Sequence, residues 1–549
     1  MNINKANGIY ISVIYFGAIG IKYLYKQSKI LLTLTIIMYM MTLGIFIYKY
    51  YFSEADVVAN LFDYDSLELM EYINNNDKYK FTNDQQKAID GIIDFIASPF
   101  NPAKYIVGLI GAGGTGKTFI TKYIINNCKY SNSVIKCTSS THKACRVFSQ
   151  AIGNRPVDTI QSTLGLRLDL RLEDFDPNNP QFNPMAKPKL DDIKLLLVDE
   201  ASMLPSKIVN YICEQCKQLN IKLIFIGDSS QLAPVNENKS SAFYKCNKVF
   251  VLKEIVRQSV TNPISNLLDL LRNDITNKSY TFLEYISKNI GATVYNEIGE
   301  GFSICNKVNF NNTIDSCFSN EEYTNNIDMY RIIAYTNTCV SNWNNYIRNN
   351  IIKDANKSII TKNDLIMSYE TIVNEFMEII INNSEEYIIN DIVNFVDDTY
   401  GFKGFLIKFQ LVHGGNITKP LFVIDHRDKF TILKYHKVIT DLIETAKKAT
   451  GGTRASKWKQ YYDFKKKYLI AANIVNRNGK IIYSRDLDYG FAITSHKSQG
   501  STYDVVFVDV NDIVYDKNDR PYSNQDDLLR RLYVACSRAR KELILCYGN

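Results

Sequence analysis

A glycine-rich run in the first quarter of the chain has the residue types and spacing of a phosphate-binding loop. The run extends from Gly111 to Thr118, follows the β-branched stretch Ile106–Ile110 and opens a predicted helix that reaches Ile125. Glycines allow successive backbone N–H groups to face phosphate oxygens, and the helix N-terminus adds partial positive charge. Lys117 should reach the β- and γ-phosphates, and the Thr118 hydroxyl should ligate Mg²⁺. The predicted ATP-binding residues of the loop are Gly111, Ala112, Gly113, Gly114, Thr115, Gly116, Lys117 and Thr118.

A second apolar run ends in two carboxylates. Leu195–Val198 is followed by Asp199 and Glu200, about eighty residues after the glycine-rich loop. A buried strand would deliver both acids to its carboxyl end, where Asp199 could hold Mg²⁺ and Glu200 could polarise the attacking water. Alone, such a run is often only a strand leaving the core. Together the two elements indicate nucleotide hydrolysis, which transporters, kinases, recombinases and helicases share.

A third run separates these classes. Ile226-Gly227-Asp228-Ser-Ser-Gln231-Leu-Ala-Pro-Val resembles the γ-phosphate-sensing motif of superfamily 1 helicases in their Dda-like and RecD-like branch, which includes viral and phage proteins. The resemblance extends from Phe81 to Asn549 with the family's motifs in order. It implies that Gln85 reads adenine, Gln231 senses the γ-phosphate, Arg257 and Arg538 are arginine fingers after second-lobe strands, and Gly500 contacts ATP.

The same resemblance implies that a single strand of nucleic acid is bound by motifs in both lobes. Two departures are visible: Gln161 stands where the family usually has histidine, and Cys536-Ser537 stands where Leu-Thr or Val-Thr is more usual. The two motif histidines lack metal-ligand spacing, so we expect contacts to phosphate or sugar. The predicted nucleic-acid-binding residues are Thr141, His142, Lys143, Thr159, Ser162, Thr336, Asn337, Thr494 and His496.

Alternation of short apolar strands with helices predicts an α/β fold. Predicted strands are Ile106–Ile110, Leu195–Val198, Leu223–Ile226, Arg331–Tyr335, Val505–Val508 and Leu543–Cys546. We expect two RecA-like, doubly wound parallel-sheet lobes with inserted β-hairpin and SH3-like subdomains, plus an apolar N-terminal helical extension. The predicted divisions are an extension at 1–53, a linker at 54–80, lobe 1 at 81–255, and lobe 2 at 256–350 and 487–549.

Two insertions interrupt this alternation. The Pro- and Asn-rich segment 166–190 is predicted to form a β-hairpin wedge on lobe 1, with Phe175 or Phe182 stacking at a DNA fork. The segment 351–486 is predicted to be the SH3-like insertion, with a basic helical tower at 437–468. The tower aromatics around Trp458 could stack on bases, or the tower could be an ordinary amphipathic helix pair. Both interpretations stand at this point.

The N-terminal region conflicts with the predicted chemistry. Residues 30–48 lack charge over a length that just spans a bilayer, but the lysines precede this run, and the positive-inside rule would then place the body outside the cytoplasm. We expect the ATP-dependent body to be intracellular, in the cytoplasm or nucleus of a host. Membrane association through residues 30–48 and an alternative start at Met70 both remain open.

Composition places only loose limits on function. The chain has 549 residues, a formal net charge of +7 and 46% hydrophobic residues, which is typical of a globular protein with several domains. Its eleven cysteines show no framework spacing; Cys213 and Cys216 are expected on one helix face, and the thiols are expected to be reduced.

The resulting hypothesis is an ATP- and Mg²⁺-dependent helicase that, by resemblance, unwinds DNA 5′→3′. Its expected partners are single-stranded and forked DNA, with RNA less favoured, and proteins of replication or recombination. Two alternatives remain: a translocase that strips bound proteins, and a membrane-tethered protein whose ATPase gates its grip on nucleic acid.

Overall fold

The computed structural model describes most of the chain after residue 80. The linker 54–80 and the apolar extension 1–53, with its candidate span 30–48, lie outside the described residues. Within the described part, no helix is long and apolar enough to cross a membrane. The described residues are 81–548 without 169–181, 235–236, 238–239, 255, 257–261, 353–354, 356–357, 374–378, 413 and 476–479.

The first lobe is built around a six-stranded sheet in which all pairings are parallel, in the order β3-β2-β6-β7-β1-β8. Its central strands are buried on both faces, as expected for apolar β-branched runs between helices. The elements are α1 (Asn83–Ala97), β1 (Ile106–Gly111), α2 (Lys117–Asn127), β2 (Ile135–Ser139), α3 (His142–Ala151), β3 (Val157–Thr159), α4 (Ile160–Thr163), β4 (Leu166–Leu168), β5 (Phe182–Pro184), β6 (Leu195–Val198), α5 (Ser206–Gln218), β7 (Lys222–Gly227) and β8 (Lys248–Leu252).

Alternating side chains of this sheet enter two separate cores. Val107 and Leu109 pack with α1 and α2 on one face, whereas Ile106, Leu196 and Val198 pack with α5 on the other. Strand β7 lies between β1 and β6. The carboxyl ends of β1, β7 and β6, which carry the glycine-rich loop and the acids, therefore meet at one edge of the sheet.

The predicted β-hairpin at 166–190 is present at its base. Strands β4 and β5 pair antiparallel, with Leu166 opposite Pro184 and Leu168 opposite Phe182. Residues 169–181, including Phe175, lie outside the described residues, as does the side chain of Phe182.

The first part of the second lobe is mostly helical. Helix α6 opens at Pro263, and its Asp274 is fully buried and accepts hydrogen bonds from Ser279, Thr281 and the Phe282 amide, which fixes the turn into α7. The elements are α6 (Ile264–Asn277), α7 (Thr281–Lys288), β9 (Thr293–Tyr295), β10 (Gly301–Cys305), α8 (Lys307–Phe318), α9 (Glu321–Asn325), β11 (Tyr330–Ala334) and α10 (Asn337–Asn350).

The insertion forms a five-stranded antiparallel sheet in the order β17-β16-β15-β12-β20, from which two antiparallel helices extend. The helices begin at Lys429, eight residues before the predicted tower, because Asp428 caps the first of them through the Thr431 amide. The elements are β12 (Leu365–Ser368), β13 (Ile372–Val373), β14 (Ile379–Ile381), β15 (Glu386–Val396), β16 (Lys403–Leu411), β17 (Leu421–Ile424), α11 (Lys429–Lys448), α12 (Gly452–Lys467), β18 (Ile474–Val475), β19 (Ile481–Tyr483) and β20 (Leu487–Tyr489).

The chain then returns to the second lobe and completes its sheet, in the order β21-β11-β22-β23-β10-β9. Pairings are parallel except for β9 with β10. The remaining elements are β21 (Ala492–Thr494), β22 (Tyr503–Asp509), α13 (Val510–Val514), α14 (Gln525–Cys536) and β23 (Ala539–Cys546). The predicted α/β class with two parallel-sheet lobes is confirmed, whereas the SH3-like assignment of the insertion stays a prediction.

The prediction that the tower aromatics are available to bases is wrong for three side chains. Trp458, Tyr461 and Phe464 are only 1%, 7% and 6% exposed, because they form the core between α11, α12 and the sheet. Tyr435 of α11 is fully buried among them. These aromatic residues hold the helix pair together.

A buried ionic cluster joins both lobes to the insertion at Glu386, the first residue of β15. Glu386 accepts hydrogen bonds from Lys143 of α3, from Arg331 of β11 at 3.2 Å and from the Tyr503 hydroxyl of β22 at 2.8 Å. The neighbouring Glu385 accepts a bidentate pair of bonds from Arg146. Burial alone would raise the pKa of Glu386, but Lys143 and Arg331 outweigh it and hold that pKa at about 2.

Replacement of Glu386→Gln should lower the free energy of unfolding at pH 7 by about 3–5 kcal/mol, because Lys143 and Arg331 would remain buried without their anion. The depressed pKa means that this stabilisation is present above the pKa of an unfolded glutamate, about 4.3, and is lost as the pH falls toward 2. Urea unfolding at several pH values measures both effects.

The matched control is Asp391→Asn on the same strand, since Asp391 forms a half-exposed ion pair with Lys408. It should change stability by less than about 1 kcal/mol. Similar losses for the two variants would contradict the importance of the buried cluster.

Candidate active site

The glycine-rich loop has the backbone that a triphosphate site requires. Gly114 and Gly116 have φ values of 83° and 84°, in the left-handed region that favours glycine. Gln85 lies under the loop, and its Nε2 donates to Thr115 O at 3.0 Å. Lys117 Nζ donates to the carbonyl oxygens of Gly111 at 2.7 Å and Ala112 at 2.9 Å. The predicted loop residues are therefore brought together, with Gln85 beside them.

Several polar atoms around the loop fit a bound triphosphate. Glu200 Oε2 and Gln231 Oε1 are inaccessible and have no hydrogen-bond partner among the described residues. A Cβ built on Gly113 would meet no atom within 4 Å, so the loop is open on that side. Unpaired buried acceptors are costly unless a ligand satisfies them. The residues present therefore fit ATP.

The two acids at the end of β6 share an electrostatic environment. Burial and the neighbouring Glu200 raise the pKa of Asp199 to about 7, although Lys117 lowers it. Burial also raises the pKa of Glu200, while Arg538 and Lys117 lower it. Both residues keep some exposed area, although Glu200 Oε2 has none. A raised carboxylate pKa is the expected property of a group that handles a water proton.

Glu200 also has an unusual backbone. Its φ of 52° places a non-glycine residue in the left-handed region, which costs about 1–3 kcal/mol and is found mostly at functional sites. The strained residue ends β6 and starts the short turn Ala201–Met203.

Arg538 belongs to the second lobe, and its charge is one of those that lower the pKa of Glu200 in the first. The guanidinium is held by its own lobe: Nε donates to Val534 O at 3.0 Å, Nη1 to Ser501 O at 3.1 Å and Nη2 to Ser537 Oγ at 2.7 Å. It is thus oriented before any ligand binds. The predicted finger Arg538 thus acts electrostatically on the predicted water-activating acid.

Helix α14 makes further contacts across the cleft that the sequence analysis missed. The Tyr533 hydroxyl donates to Asp228 Oδ2 at 2.8 Å. One helical turn earlier, Arg530 Nη1 donates to the carbonyl oxygens of Ser229 and Gln231, the latter at 3.1 Å. The sequence signal that could have indicated these contacts was the position of Arg530 and Tyr533 shortly before the predicted finger Arg538. These contacts join the segment that carries Gln231 to the second lobe.

The second predicted finger, Arg257, lies outside the described residues. The strand before it, β8, pairs with β1 in the first sheet. This pairing agrees with the predicted bounds of lobe 1 at 81–255, whereas the description of the strand before Arg257 as a second-lobe strand was wrong.

Three predicted strand-binding threonines cap helices. The hydroxyls of Thr141, Thr159 and Thr336 accept the amide hydrogens that open α3, α4 and α10. The Thr336 hydroxyl also donates to Asp512 at 2.6 Å. Capping explains these residues structurally, and helix N-termini also offer free N–H groups to phosphates. Their nucleic-acid role stays a prediction.

The structure corrects the expectation for Lys143. Its side chain is 6% exposed and pairs with Glu386, so it contacts the insertion rather than a nucleic acid. The sequence could not show this, because the partner lies more than two hundred residues away. Burial lowers the pKa of both His142 and His496, so these rings are neutral near pH 7 and can contact phosphate only through N–H donation.

The remaining predicted residues occupy several positions around the cleft. Ser162 is exposed and accepts from Lys189, and Asn337 is exposed and accepts from Arg485. Thr494 is buried and accepts from the Lys497 amide. Gly500 lies against α3, 3.7 Å from Ala144 when a Cβ is added, and no contact joins it to the glycine-rich loop. Its role in ATP binding stays a prediction.

Cys213 and Cys216 lie on α5 as expected, both buried. The described residues contain no group of three metal-ligating side chains. These thiols therefore fill the core between α5 and the sheet.

Two parallel-sheet lobes with a phosphate loop on one and an arginine from the other define a P-loop nucleotide hydrolase of the motor type. The sequence profile of an AAA domain matches residues 83–286, and that of the UvrD-like helicase C-terminal domain matches residues 489–546. The chain is similar to superfamily 1 helicases in both lobes.

Two relatives match over most of their own length. The uncharacterized protein R530 of Acanthamoeba polyphaga mimivirus is 24% identical, over 84% of this chain and 99% of its own. The ATP-dependent DNA helicase dda of Enterobacteria phage T4 is 22% identical, over 80% of this chain and 94% of its own. Among solved structures, Pif1 helicase from Bacteroides with ADP-AlF3 and ssDNA covers 85% of this chain and 92% of its own, at 15% identity and a TM-score of 0.45.

Replacement of Tyr533→Phe should lower the maximal ATPase rate by about tenfold or more, because a hydrogen bond to a charged group contributes about 1.5–3 kcal/mol. ATP affinity should stay within about twofold, since Tyr533 contacts Asp228 and not the glycine-rich loop. Steady-state kinetics and nucleotide titration separate the two quantities.

Tyr515→Phe is the matched control, because its hydroxyl pairs with Tyr547 within the second lobe at 3.1 Å. It should leave the rate unchanged. A Tyr533→Phe protein that loses ATP affinity at an unchanged maximal rate would show that the contact does not position the catalytic segment.

Proposed function

We propose that this protein is an ATP-dependent DNA helicase that moves 5′→3′ along a single strand. The observation that carries the proposal is the contact of α14 in the second lobe with Asp228 and Gln231 of the first, at a site where Arg538 of the second lobe also lowers the pKa of Glu200. Hydrolysis in such a site depends on closure of the cleft. The similarity to the ATP-dependent DNA helicase dda supports DNA as the substrate, and the resemblance of the motifs to the Dda-like and RecD-like branch supports 5′→3′ as the direction.

The proposed roles of the site residues follow from their positions. Thr118 and Asp199 would hold Mg²⁺, which neutralises charge on the β- and γ-phosphates. Glu200 would take the proton of the attacking water, and its inaccessible Oε2 is consistent with that role. Lys117 and Arg538 would stabilise negative charge that develops on the transferred phosphoryl group, and Gln231 would report the state of the γ-phosphate to α14.

Strand movement would follow from this closure. The capped N-termini of α3 and α4 belong to the first lobe, and that of α10 belongs to the second. Alternating phosphate contacts on the two lobes would advance the protein along the strand as ATP binds and is hydrolysed. The β4–β5 hairpin would separate the duplex, and an intracellular place of action belongs to the proposal because ATP and DNA are available there.

Replacement of Glu200→Gln should reduce ATP turnover by about two or more orders of magnitude while ATP still binds, because the phosphate loop is intact. Lys117→Ala should lower both affinity and rate, because it removes the direct phosphate contact. Glu214→Gln, at an exposed position of α5, is the control and should behave like the parent. Turnover near the parent rate in Glu200→Gln would show that another group activates the water.

Strand displacement tests the activity and its direction together. The protein should open duplexes with a 5′ single-stranded tail and leave those with a 3′ tail paired, with DNA favoured over RNA. Opening of the 3′-tailed duplex alone would reverse the proposed polarity. DNA-stimulated ATP hydrolysis without opening either substrate would favour a translocase that strips bound proteins.

A further inference from the structure

The positive charge of this protein is concentrated in one helix pair. Residues 429–467, which span α11 and α12, contain eleven lysine or arginine residues and three aspartate or glutamate residues. Their formal charge of +8 compares with +7 for the entire 549-residue chain. We call residues 429–467 the basic helical hairpin. Outside it, acidic and basic residues nearly balance.

Few of these charges are neutralised by the fold. Lys465 pairs with Asp486 at 3.2 Å, Lys467 with Asp397 at 3.5 Å and Lys448 with Glu444 at 3.6 Å. Lys437, Lys447 and Lys459 are exposed and form no ion pair with any residue that the structure describes. A concentration of unpaired cations on one structural element is typical of a protein surface that binds a polyanion.

The surface chemistry favours a phosphate backbone over exposed bases. Proteins that bind single strands combine cations with aromatic side chains on which bases stack. Here Trp458, Tyr461 and Phe464 face the core, and Phe430, at the start of α11 beside Lys434, is exposed. The lysines on the rest of the pair are left outside without the three buried rings. Lysine contacts phosphates as a point charge and needs no access to bases. Duplex DNA presents backbone phosphates while its bases are stacked and paired, so it matches a lysine surface better than a single strand does.

We propose that the basic helical hairpin binds the phosphate backbone of duplex DNA ahead of the fork, separately from the single-strand path between the lobes. This inference rests on the proposed function, since it presumes a fork at the motor. Such contacts would add affinity for tailed duplexes without changing the site of hydrolysis. They carry no sequence preference, because phosphates are the same at every step.

The test compares the full chain with a triple variant, Lys437→Gln, Lys447→Gln and Lys459→Gln. Binding is measured without ATP by fluorescence anisotropy over a range of salt concentrations. The DNAs are a single strand, the same strand as the 5′ tail of a duplex, and that duplex with an added 3′ arm. Each phosphate contact contributes about 0.9 to the slope of log affinity against log salt.

The expected result is a slope smaller by about two to three on both tailed duplexes and unchanged on the single strand. A second triple variant, Lys87→Gln, Lys217→Gln and Lys288→Gln, removes the same charge from exposed positions elsewhere and should leave all slopes as in the parent. Thermal unfolding midpoints of both variants check that the fold is retained.

Three results would overturn the inference. Equal slopes for parent and variant on tailed duplexes would mean that the hairpin does not contact DNA. A smaller slope seen only on the DNA with the 3′ arm would mean that the hairpin binds the displaced strand. An equally smaller slope on the single strand would mean that the hairpin binds the single strand that passes between the lobes. Failure of the proposed function is separate, because it would appear as absence of DNA-stimulated ATPase in the parent protein.

Discussion

Two adjacent carboxylates at the end of β6 impose the constraint on which this structure depends. Burial raises the pKa of both Asp199 and Glu200, and nearby cations act in the opposite direction. Lys117 of the same lobe lowers the pKa of both acids, and Arg538 of the second lobe lowers that of Glu200. The charge of the second lobe thus acts on the water-activating acid of the first. A motor needs this coupling so that hydrolysis does not proceed in the open state.

The lobes are joined by two kinds of contact with different physical character. Tyr533 and Arg530 bind the segment that carries Gln231, close to the chemistry. The second kind is the ionic cluster in which Glu386 of the insertion binds Lys143 of the first lobe and Arg331 of the second, and it is almost fully buried. A buried ion pair adds little net stability but is costly to break on one side. The insertion is thus part of the joint between the lobes, in addition to carrying the basic helical hairpin.

Local sequence predicted the parts of the site that lie on single segments. The strand Leu195–Val198 was predicted with its observed bounds, and the predicted strand Ile106–Ile110 was one residue shorter than the observed one. Both predictions succeeded because each apolar run ends abruptly, one at the two acids and the other at the glycine-rich loop. The contacts of Lys143 and Tyr533 could not be predicted, since their partners are hundreds of residues away and neither pairing leaves a local pattern. The choice between the two interpretations of the tower aromatics stayed open for a related reason: periodicity does not show which helix face is covered.

The coupling of strand binding to hydrolysis through Arg538 is the central claim, and the ratio of ATPase rates with and without single-stranded DNA tests it most directly. The parent protein should show a large ratio, and Arg538→Ala should bring it close to one without weakening DNA binding. Arg540→Ala is the matched comparison, because Arg540 is half-exposed and pairs with Asp504 in its own lobe; it should keep the parent ratio. Strong stimulation in Arg538→Ala would contradict the account, since closure would then activate Glu200 without the second lobe's arginine.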